Sequence, residues 1–279
     1  MTTKETTTAK IEQGDVIAWL GKQSIDVSID LLIGSPPYAL KGHRYGEKKT
    51  AWPTAQWVDW METVTRVACL ASRGWVIWIA NGAVREGEYQ PACEGLIWKL
   101  SERASGVVCE RPCIWHKNAP PNRKDWFGND WEYIMAFYHR DSGRPPFDWK
   151  AIGHPPKYSA GGRFRQRTTN GTRRLGNEYP TGKLARPRDV IRCTVGGGHL
   201  GSKFAHENEA PYPEELIRPF VKACCPVGGV VCDPFSGSGT TAAVALQEGR
   251  NFIGCDSRAD QVELTQRRIA EARAKLTNA

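Results

Sequence analysis

Two clusters of residues in this sequence have side chains and spacings suited to chemistry. The first is Val231-Cys-Asp233-Pro-Phe235-Ser-Gly237-Ser-Gly239-Thr240-Thr241. An apolar run, a glycine-rich turn and a helix start, in that order, let backbone amides approach a nucleotide-like ligand. The Gly-Lys-Ser/Thr ending that a phosphate-binding P-loop needs is absent. Nineteen residues after Gly237 a second apolar run ends in Asp256, and a carboxylate there suits a ribose diol, since it accepts two hydroxyl hydrogen bonds. The second cluster is Ser35-Pro36-Pro37-Tyr38, directly after the apolar run Ile29-Asp-Leu-Leu-Ile33. An aromatic amine is a poor nucleophile because its lone pair is delocalised into the ring. A site that accepts hydrogen bonds from both amine hydrogens draws the nitrogen toward a tetrahedral, nucleophilic geometry. The Pro36 carbonyl and the Ser35 side-chain oxygen can accept them, Tyr38 can stack on the ring, and the prolines hold the acceptors in place before reaction.

The elements that must position these clusters follow from periodicity. A short helix-like stretch after Gly14 leads into the strand 29–33, and two consecutive prolines end it. Thr54 can cap a helix with Trp57, Trp60, Met61, Val64, Val67 and Ala68 at helical spacing. Gly74–Ala80 reads as a strand, Tyr89–Arg103 as a helix, and Gly106–Trp115 and Glu132–Tyr138 as two further strands. Regular structure resumes with a helix over Tyr212–Cys225, a strand over Gly229–Cys232, a helix over Thr240–Glu248, a strand over Asn251–Cys255 and a last helix over Asp260–Leu276. Alternating strands and helices predict an α/β fold with a doubly wound, mostly parallel sheet. The first ten residues read as a frayed polar tail.

Charge sets one segment apart. Of the net charge of +8, the stretch Arg140–Arg188 holds +9, from twelve Lys/Arg against three Asp/Glu, while the rest carries 26 basic and 27 acidic residues. With seven Gly, six Pro and little apolar periodicity there, Arg140 to about Gly201 reads as an insertion outside the sheet. A polyanionic partner is the economical explanation of its charge. Its candidate contacts are Arg163, Arg165 and Arg167, then Arg173, Arg174, Arg186 and Arg188.

No run of eighteen apolar residues and no signal-peptide stretch is present, so the expectation is a soluble, cytoplasmic protein without a membrane partner. Nine cysteines, with no Cys-x-x-Cys pair, read as reduced core thiols. The six histidines (43, 116, 139, 154, 199 and 206) show no pair spacing suited to a metal, and none is expected.

Asp-Pro-Phe-Ser-Gly-Ser-Gly-Thr-Thr together with Ser-Pro-Pro-Tyr resembles the paired signature of the DNA amino-methyltransferases. With the tetrapeptide before the glycine motif, the order is similar to the circularly permuted beta class, whose target-recognition region lies between the two. The resemblance covers about 14–40, 54–140 and 206–268. It implies a Rossmann-like methyltransferase fold and S-adenosylmethionine as cofactor. It also implies double-stranded DNA, recognised by sequence, as the substrate. The chain then divides into a catalytic half (1–139), a target-recognition insertion (140–205) and a cofactor-binding half (206–279). By the same resemblance Ser35, Pro36, Pro37 and Tyr38 match the catalytic tetrapeptide. Asp233, Phe235, Gly237, Gly239 and Thr240 match the cofactor loop, and Asp256 the ribose ligand, where many relatives have Glu. Gly14-Asp15 matches an element near the cofactor adenine, although Asp15 on its own reads as a helix cap. Asn208–Pro213 matches the segment before the cofactor helix, with Tyr212 where Phe is common.

Ser at the first tetrapeptide position favours cytosine N4 over adenine N6 in this family; methylation of RNA or of a protein glutamine ranks behind both, because those enzymes place the cofactor motif first. A homodimer and a cognate restriction endonuclease stay open as partners. Pro112-Cys113 resembles the nucleophile of 5-methylcytosine enzymes, but there the glycine motif precedes the cysteine, and Cys113 falls inside a predicted strand. It is read as structural.

Overall fold

The computed structural model describes residues 7–26, 28–39, 43–45, 48–50, 52–118, 126–157, 163–178 and 183–277. In chain order the elements are β1 (Ala9–Gln13), α1 (Val16–Asp26), β2 (Ile29–Gly34), β3 (His43–Tyr45), β4 (Lys48–Thr50), α2 (Thr54–Ala71), β5 (Ser72–Ala80), β6 (Ala83–Arg85), β7 (Glu88–Gln90), α3 (Ala92–Ser101), β8 (Val107–Cys109), β9 (Cys113–His116), β10 (Trp131–His139), β11 (Arg163–Arg167), β12 (Arg173–Glu178), β13 (Val190–Arg192), α4 (Glu214–Cys224), β14 (Val230–Asp233), α5 (Thr240–Gln247), β15 (Asn251–Asp256) and α6 (Ala259–Thr277).

One nine-stranded sheet runs β1-β15-β14-β2-β5-β10-β9-β13, with β8 also paired to β10. From β1 to β5 every pairing is parallel, and β10 enters antiparallel to both β5 and β9. The central strand β2 is buried at all six positions, so it is apolar on both faces, as a strand between two helical layers must be. Its alternation divides the core. Leu31 and Ile33, with Trp75, Ile77 and Ile79 of β5, pack under α4, α5 and α6. Leu32, with Val76 and Trp78, packs under α1, α2 and α3. Asp30 is the polar exception in β2: it pairs with Arg73 at 2.5 Å and accepts the Val230 amide at 2.8 Å, joining β2 to β5 and β14. The mixed α/β architecture with a mostly parallel sheet is the one the sequence predicts.

The structure corrects five expectations. Ala9 and Lys10 are not tail but open the edge strand β1, which pairs in parallel with β15 from Ala9↔Phe252 to Gln13↔Asp256. Thr54 is not the cap of α2; Pro53 holds that place, and the Thr54 hydroxyl bonds Gln90 Oε1 at 3.1 Å instead. The predicted helix 89–103 begins only at Ala92, because Glu86 and Gly87, both at positive φ, turn a β6–β7 hairpin that takes Tyr89, and Pro91 then precedes the first turn. The predicted strand 106–115 is two short strands separated by a stretch containing Pro112, both paired to β10. The basic segment is also not wholly outside the sheet. β11 and β12 form a separate hairpin, but β13 pairs in parallel with β9. Its beginning is held to the body as well: Trp75 Nε1 donates to the Pro146 carbonyl at 2.8 Å and the Asp148 amide to the Ala223 carbonyl at 2.7 Å. Seven of the nine cysteines are buried and two are half-buried. Among the described residues no helix is long and apolar enough to cross a membrane.

Candidate active site

Parallel strands present their carboxyl ends along one edge of a sheet, and the loops that leave those ends enclose a crevice. Here the loops after β1, β2, β14 and β15 line one cavity of about 280 Å³. Gly14 and Asp15 come from the first, Ser35–Tyr38 from the second, Pro234–Ser238 from the third and Asp256–Arg258 from the fourth. Asn208–Tyr212 and Gln261, with Trp52 and Trp60, close the remaining sides. The two sequence clusters, some 200 residues apart in the chain, therefore share one cavity.

The glycine loop is held by carboxylates. At the end of β15, Asp256 accepts the Gly237 amide on Oδ2 at 2.9 Å and the Arg258 amide on Oδ1 at 3.1 Å. Each oxygen keeps a further lone pair, and burial raises the carboxyl pKa. Gly237 has φ +47, and a Cβ there would lie 2.8 Å from Asn208 Nδ2, so only glycine fits this turn. Asp233 is fully buried behind the loop. It accepts the Phe235 amide at 3.0 Å and the Tyr212 hydroxyl at 3.0 Å, and burial pushes its carboxyl up to about 6 against these hydrogen bonds. Asp233, Gly239 and Thr240 thus support the cavity without lining it. Gly239, at φ +73, lets the start of α5 approach Thr265 and Arg268 of α6, and the Thr240 hydroxyl bonds the Tyr212 carbonyl at 3.3 Å. Asp15 caps α1, accepting the Ile17 and Ala18 amides at 3.1 and 3.0 Å, and also lines the cavity.

The tetrapeptide corner is held by side chains that arrive from far along the chain. Trp57 Nε1 donates to the Pro37 carbonyl at 2.5 Å. The Tyr38 hydroxyl donates to Glu132 Oε2 at 2.5 Å. The second oxygen of Glu132 pairs with Lys117 Nζ at 3.0 Å. Burial first, and the Glu132 charge second, hold the Tyr38 phenol well above its ordinary range. Phe235 of the glycine loop packs its ring on Trp60 and Trp78, at 5.9 and 5.6 Å between centroids, and Trp52 abuts Trp60 at 4.6 Å. An aromatic wall therefore joins the two clusters. Such a wall accepts a flat ring, and the amide-rich loop beside it accepts a polar one.

Arg167, Arg173, Arg174, Arg186 and Arg188 do not line this cavity. Arg163, Arg165 and Arg167 are in β11 and Arg173 and Arg174 in β12, with Arg167 directly opposite Arg173 and both exposed. Arg186 stands over the Trp149 ring at 5.2 Å, and Arg188 is exposed. Cys113 is a half-buried residue of β9 whose thiol burial pushes up, the opposite of an activated nucleophile. Among the described residues no group of three His, Cys, Asp or Glu side chains could hold a metal ion. Sequence reasoning missed Trp52, Arg258 and Gln261 as cavity residues, read Trp57 and Trp60 only as helix positions, and gave Lys117 and Glu132 no part. For Glu132 the one available signal was a carboxylate in an otherwise apolar strand.

Comparison with known proteins agrees with this geometry. The chain is 27% identical over 278 residues to the type II methyltransferase M.ScaI of Streptomyces caespitosus, an alignment spanning 97% of this chain and 84% of that protein. It is 24% identical over 260 residues to the DNA adenine methyltransferase YhdJ of Escherichia coli (strain K12), across 93% of this chain and 82% of that one. Its fold is similar to that of the PvuII DNA methyltransferase (cytosine-N4-specific), with a TM-score of 0.68 at 17% identity over 98% of this chain and 94% of that chain. It is also similar to the M1.HpyAVI–SAM complex, with a TM-score of 0.55 at 16% identity over 94% of this chain and 100% of that chain. The DNA methylase family of N6 and N4 methyltransferases matches residues 29–267, and the chain belongs to this family of S-adenosylmethionine-dependent enzymes.

Proposed function

We propose that this DNA methyltransferase modifies the exocyclic amine of a base extruded from a duplex, with cytosine N4 as its target and Ser35–Tyr38 as the amine-accepting site. The observation that carries the reading is the single cavity lined by both the tetrapeptide and the glycine loop. The residues fit the cofactor. The side-chain-free Gly237 turn leaves room beside Asn208, and Asp256 has lone pairs left for a ribose diol after bonding two amides. When bound, S-adenosylmethionine supplies a methyl group on a sulfonium, a leaving group that needs no acid.

The chain's own part is positioning. A base amine lies inside the stack of a duplex, so the base must first leave it. Tyr38, its hydroxyl fixed by Glu132, offers the extruded base a ring to stack on. The Pro36 carbonyl and Ser35 Oγ accept the two amine hydrogens and turn the nitrogen lone pair out of the ring. Trp57 keeps the Pro37 peptide from shifting while they do so. The methylated nitrogen is cationic and sheds a proton readily, so no buried general base is needed.

Ser35 in the first tetrapeptide position favours cytosine. The relatives divide: the PvuII enzyme is named as cytosine-N4-specific and YhdJ as an adenine methyltransferase. Recognition of a sequence in double-stranded DNA falls to residues 140–205, whose exposed Arg167, Arg173 and Arg174 suit phosphates. A cytoplasmic location, where DNA is accessible, and an endonuclease of matching specificity accompany this reading. The test is to methylate DNA with the purified protein, digest it to nucleosides and identify the product by mass spectrometry. N4-methylcytosine is expected; N6-methyladenine would reassign the target base, and no methylated nucleoside would overturn the reading.

A further inference from the structure

Resting on that reading of Ser35–Tyr38, we infer that Trp126 and Phe127 are a wedge that enters the base stack of the duplex at the place the target base has left. Among the described residues Phe127 is the most exposed large apolar side chain, at 82%, and its neighbour Trp126 is 69% exposed. The two rings pack edge to face, 5.5 Å between centroids, so they present one apolar knob. An aromatic surface of this kind marks a place where a partner binds. The sheet says which partner. β10 is antiparallel to both β5 and β9, so β9 runs parallel to β5 and its carboxyl end lies on the cavity edge of the sheet. The segment from β9 to β10, which carries both rings, leaves and re-enters the sheet at that edge. In the sheet order β14 and β15 lie on one side of β2, and β5, β10 and β9 on the other. The glycine loop and Asp256 take the first side of Ser35–Tyr38, which leaves the side of the aromatic pair for the duplex.

The stalk below the rings is fixed, as a wedge requires. Asn81, buried just past the carboxyl end of β5, donates to the Trp131 carbonyl at 2.8 Å and to Asn129 Oδ1 at 3.3 Å. The Lys117 amide donates to the Asp130 carbonyl at 2.6 Å, and His116 Nε2 lies 3.1 Å from the Asp130 carboxylate. Next along the chain, Glu132 holds the Tyr38 hydroxyl. Phe127 is thus five residues from the group that fixes the stacking ring, a reach of about 18 Å at most. An extruded base leaves a gap in the stack, and an apolar side chain inserted there recovers part of the lost stacking and keeps the base from returning. Self-association would cover the rings as well, but it gives no reason for their place on the edge from which a base enters.

The test uses the whole chain and a duplex carrying the site that the wild type methylates, once fully paired and once with an abasic position opposite the target base. In the Trp126→Ala/Phe127→Ala variant, single-turnover transfer of a radiolabelled methyl group, at saturating DNA and cofactor, should slow by about tenfold or more on the paired duplex, the scale of one base–aromatic stack. On the abasic duplex, where the base is already unpaired, the loss should shrink to less than about threefold. Calorimetric affinity for S-adenosylmethionine should stay at its wild-type value, since neither ring lines the cavity. Equal slowing on both duplexes, or a wild-type rate on the paired one, would overturn the inference. So would loss of cofactor affinity, which would make the pair a support of the cavity. A wild-type dimer that becomes a monomer in sedimentation, with both rates unchanged, would assign the rings to a second copy of the chain. Each of these sinks the inference alone, whereas a wild type that methylates no DNA sinks the proposed function and the inference with it.

Discussion

The cavity and the β11–β12 hairpin solve opposite problems with charge. Around the cavity, carboxylates are buried or half-buried and their oxygens are given to groups of the protein itself: Asp256 to two amides, Asp233 to an amide and a phenol, Glu132 to a phenol and an ammonium. The geometry is set before any ligand arrives, which is what catalysis by positioning requires. In the hairpin, Arg167 faces Arg173 across the ladder, both exposed to solvent. Like charges directly opposite each other destabilise a strand pair. Such a pairing makes sense when the compensating charge comes from outside. On the proposed function, the cavity would be organised for what it does to a ligand and the hairpin for the charge a ligand brings to it.

Experiments can break or sharpen that contrast. The largest effect should come from Ser35→Ala, which removes one amine acceptor. Turnover should fall by about 10²-fold or more, comparable to removing one oxyanion donor, while calorimetric cofactor affinity stays unchanged. Loss of affinity instead would place Ser35 in the cofactor half of the cavity.

Asp233 gives a pH test. Its folded-state pKa, about 6, lies above the unfolded value near 3.8, so the folded protein binds the proton more tightly. The stability this lends is present in full below pH 3.8 and is lost as pH rises through 6. The stability of the wild type relative to Asp233→Asn should therefore drop by up to about 3 kcal/mol between pH 4 and 7 and level off above. Denaturant unfolding of both proteins at several pH values measures it, and a flat difference would show that Asp233 is not strained by burial.

Asp256→Ala should weaken S-adenosylmethionine binding by about 1.5–3 kcal/mol, the range for hydrogen bonds to a charged group. The loss of the Gly237 amide bond adds to it. Unchanged affinity in a titration would remove Asp256 from the ribose site.

Neutralising Arg163, Arg165 and Arg167 together should leave cofactor binding intact. It should weaken DNA binding and flatten its salt dependence by about 0.9 in the log–log slope for each phosphate no longer neutralised by the protein. Fluorescence anisotropy across a salt series would show it, and an unaltered slope would return the hairpin to an ordinary solvated surface. The smallest effect should be that of Cys113→Ser, whose methyl-transfer rate should stay near wild type because no covalent bond to the base forms. Inactivity in a folded variant would reopen the thiol's role.

How much of this was legible in the sequence depended on whether a feature is local. Ser35–Tyr38 and Asp233–Thr241 are consecutive residues whose chemistry and bounding apolar runs can be read directly, and a mostly parallel sheet follows from the alternation of strands with helices. Glu132 could not be read this way. It lies 94 residues from Tyr38 and reaches it only through the antiparallel β5–β10 pairing. The first strand was misread because Ala9–Gln13 has polar residues at alternate positions and only Ala9 and Ile11 packed on the core, the pattern of an edge strand and of a polar tail alike. The glycine loop shows the reverse error. Asp233, Gly239 and Thr240 were legible as a motif, but whether a motif residue lines a cavity or stands behind it is decided by packing, and burial puts all three behind.

The pairing of β1 with β15 has a consequence in time. Ala9 meets Phe252 across the ladder, and the two strands lead into adjoining walls of the cavity, Gly14–Asp15 and Asp256–Arg258. A growing chain therefore holds Ser35–Tyr38 long before the loops that complete the cavity around them. Until β14 and β15 have been synthesised, the apolar strand β2 also lacks its neighbour on one side, an open edge of the kind that invites misassembly. Contacts this distant in sequence form slowly. A cofactor held in that cavity would stabilise only the fold in which both walls have closed.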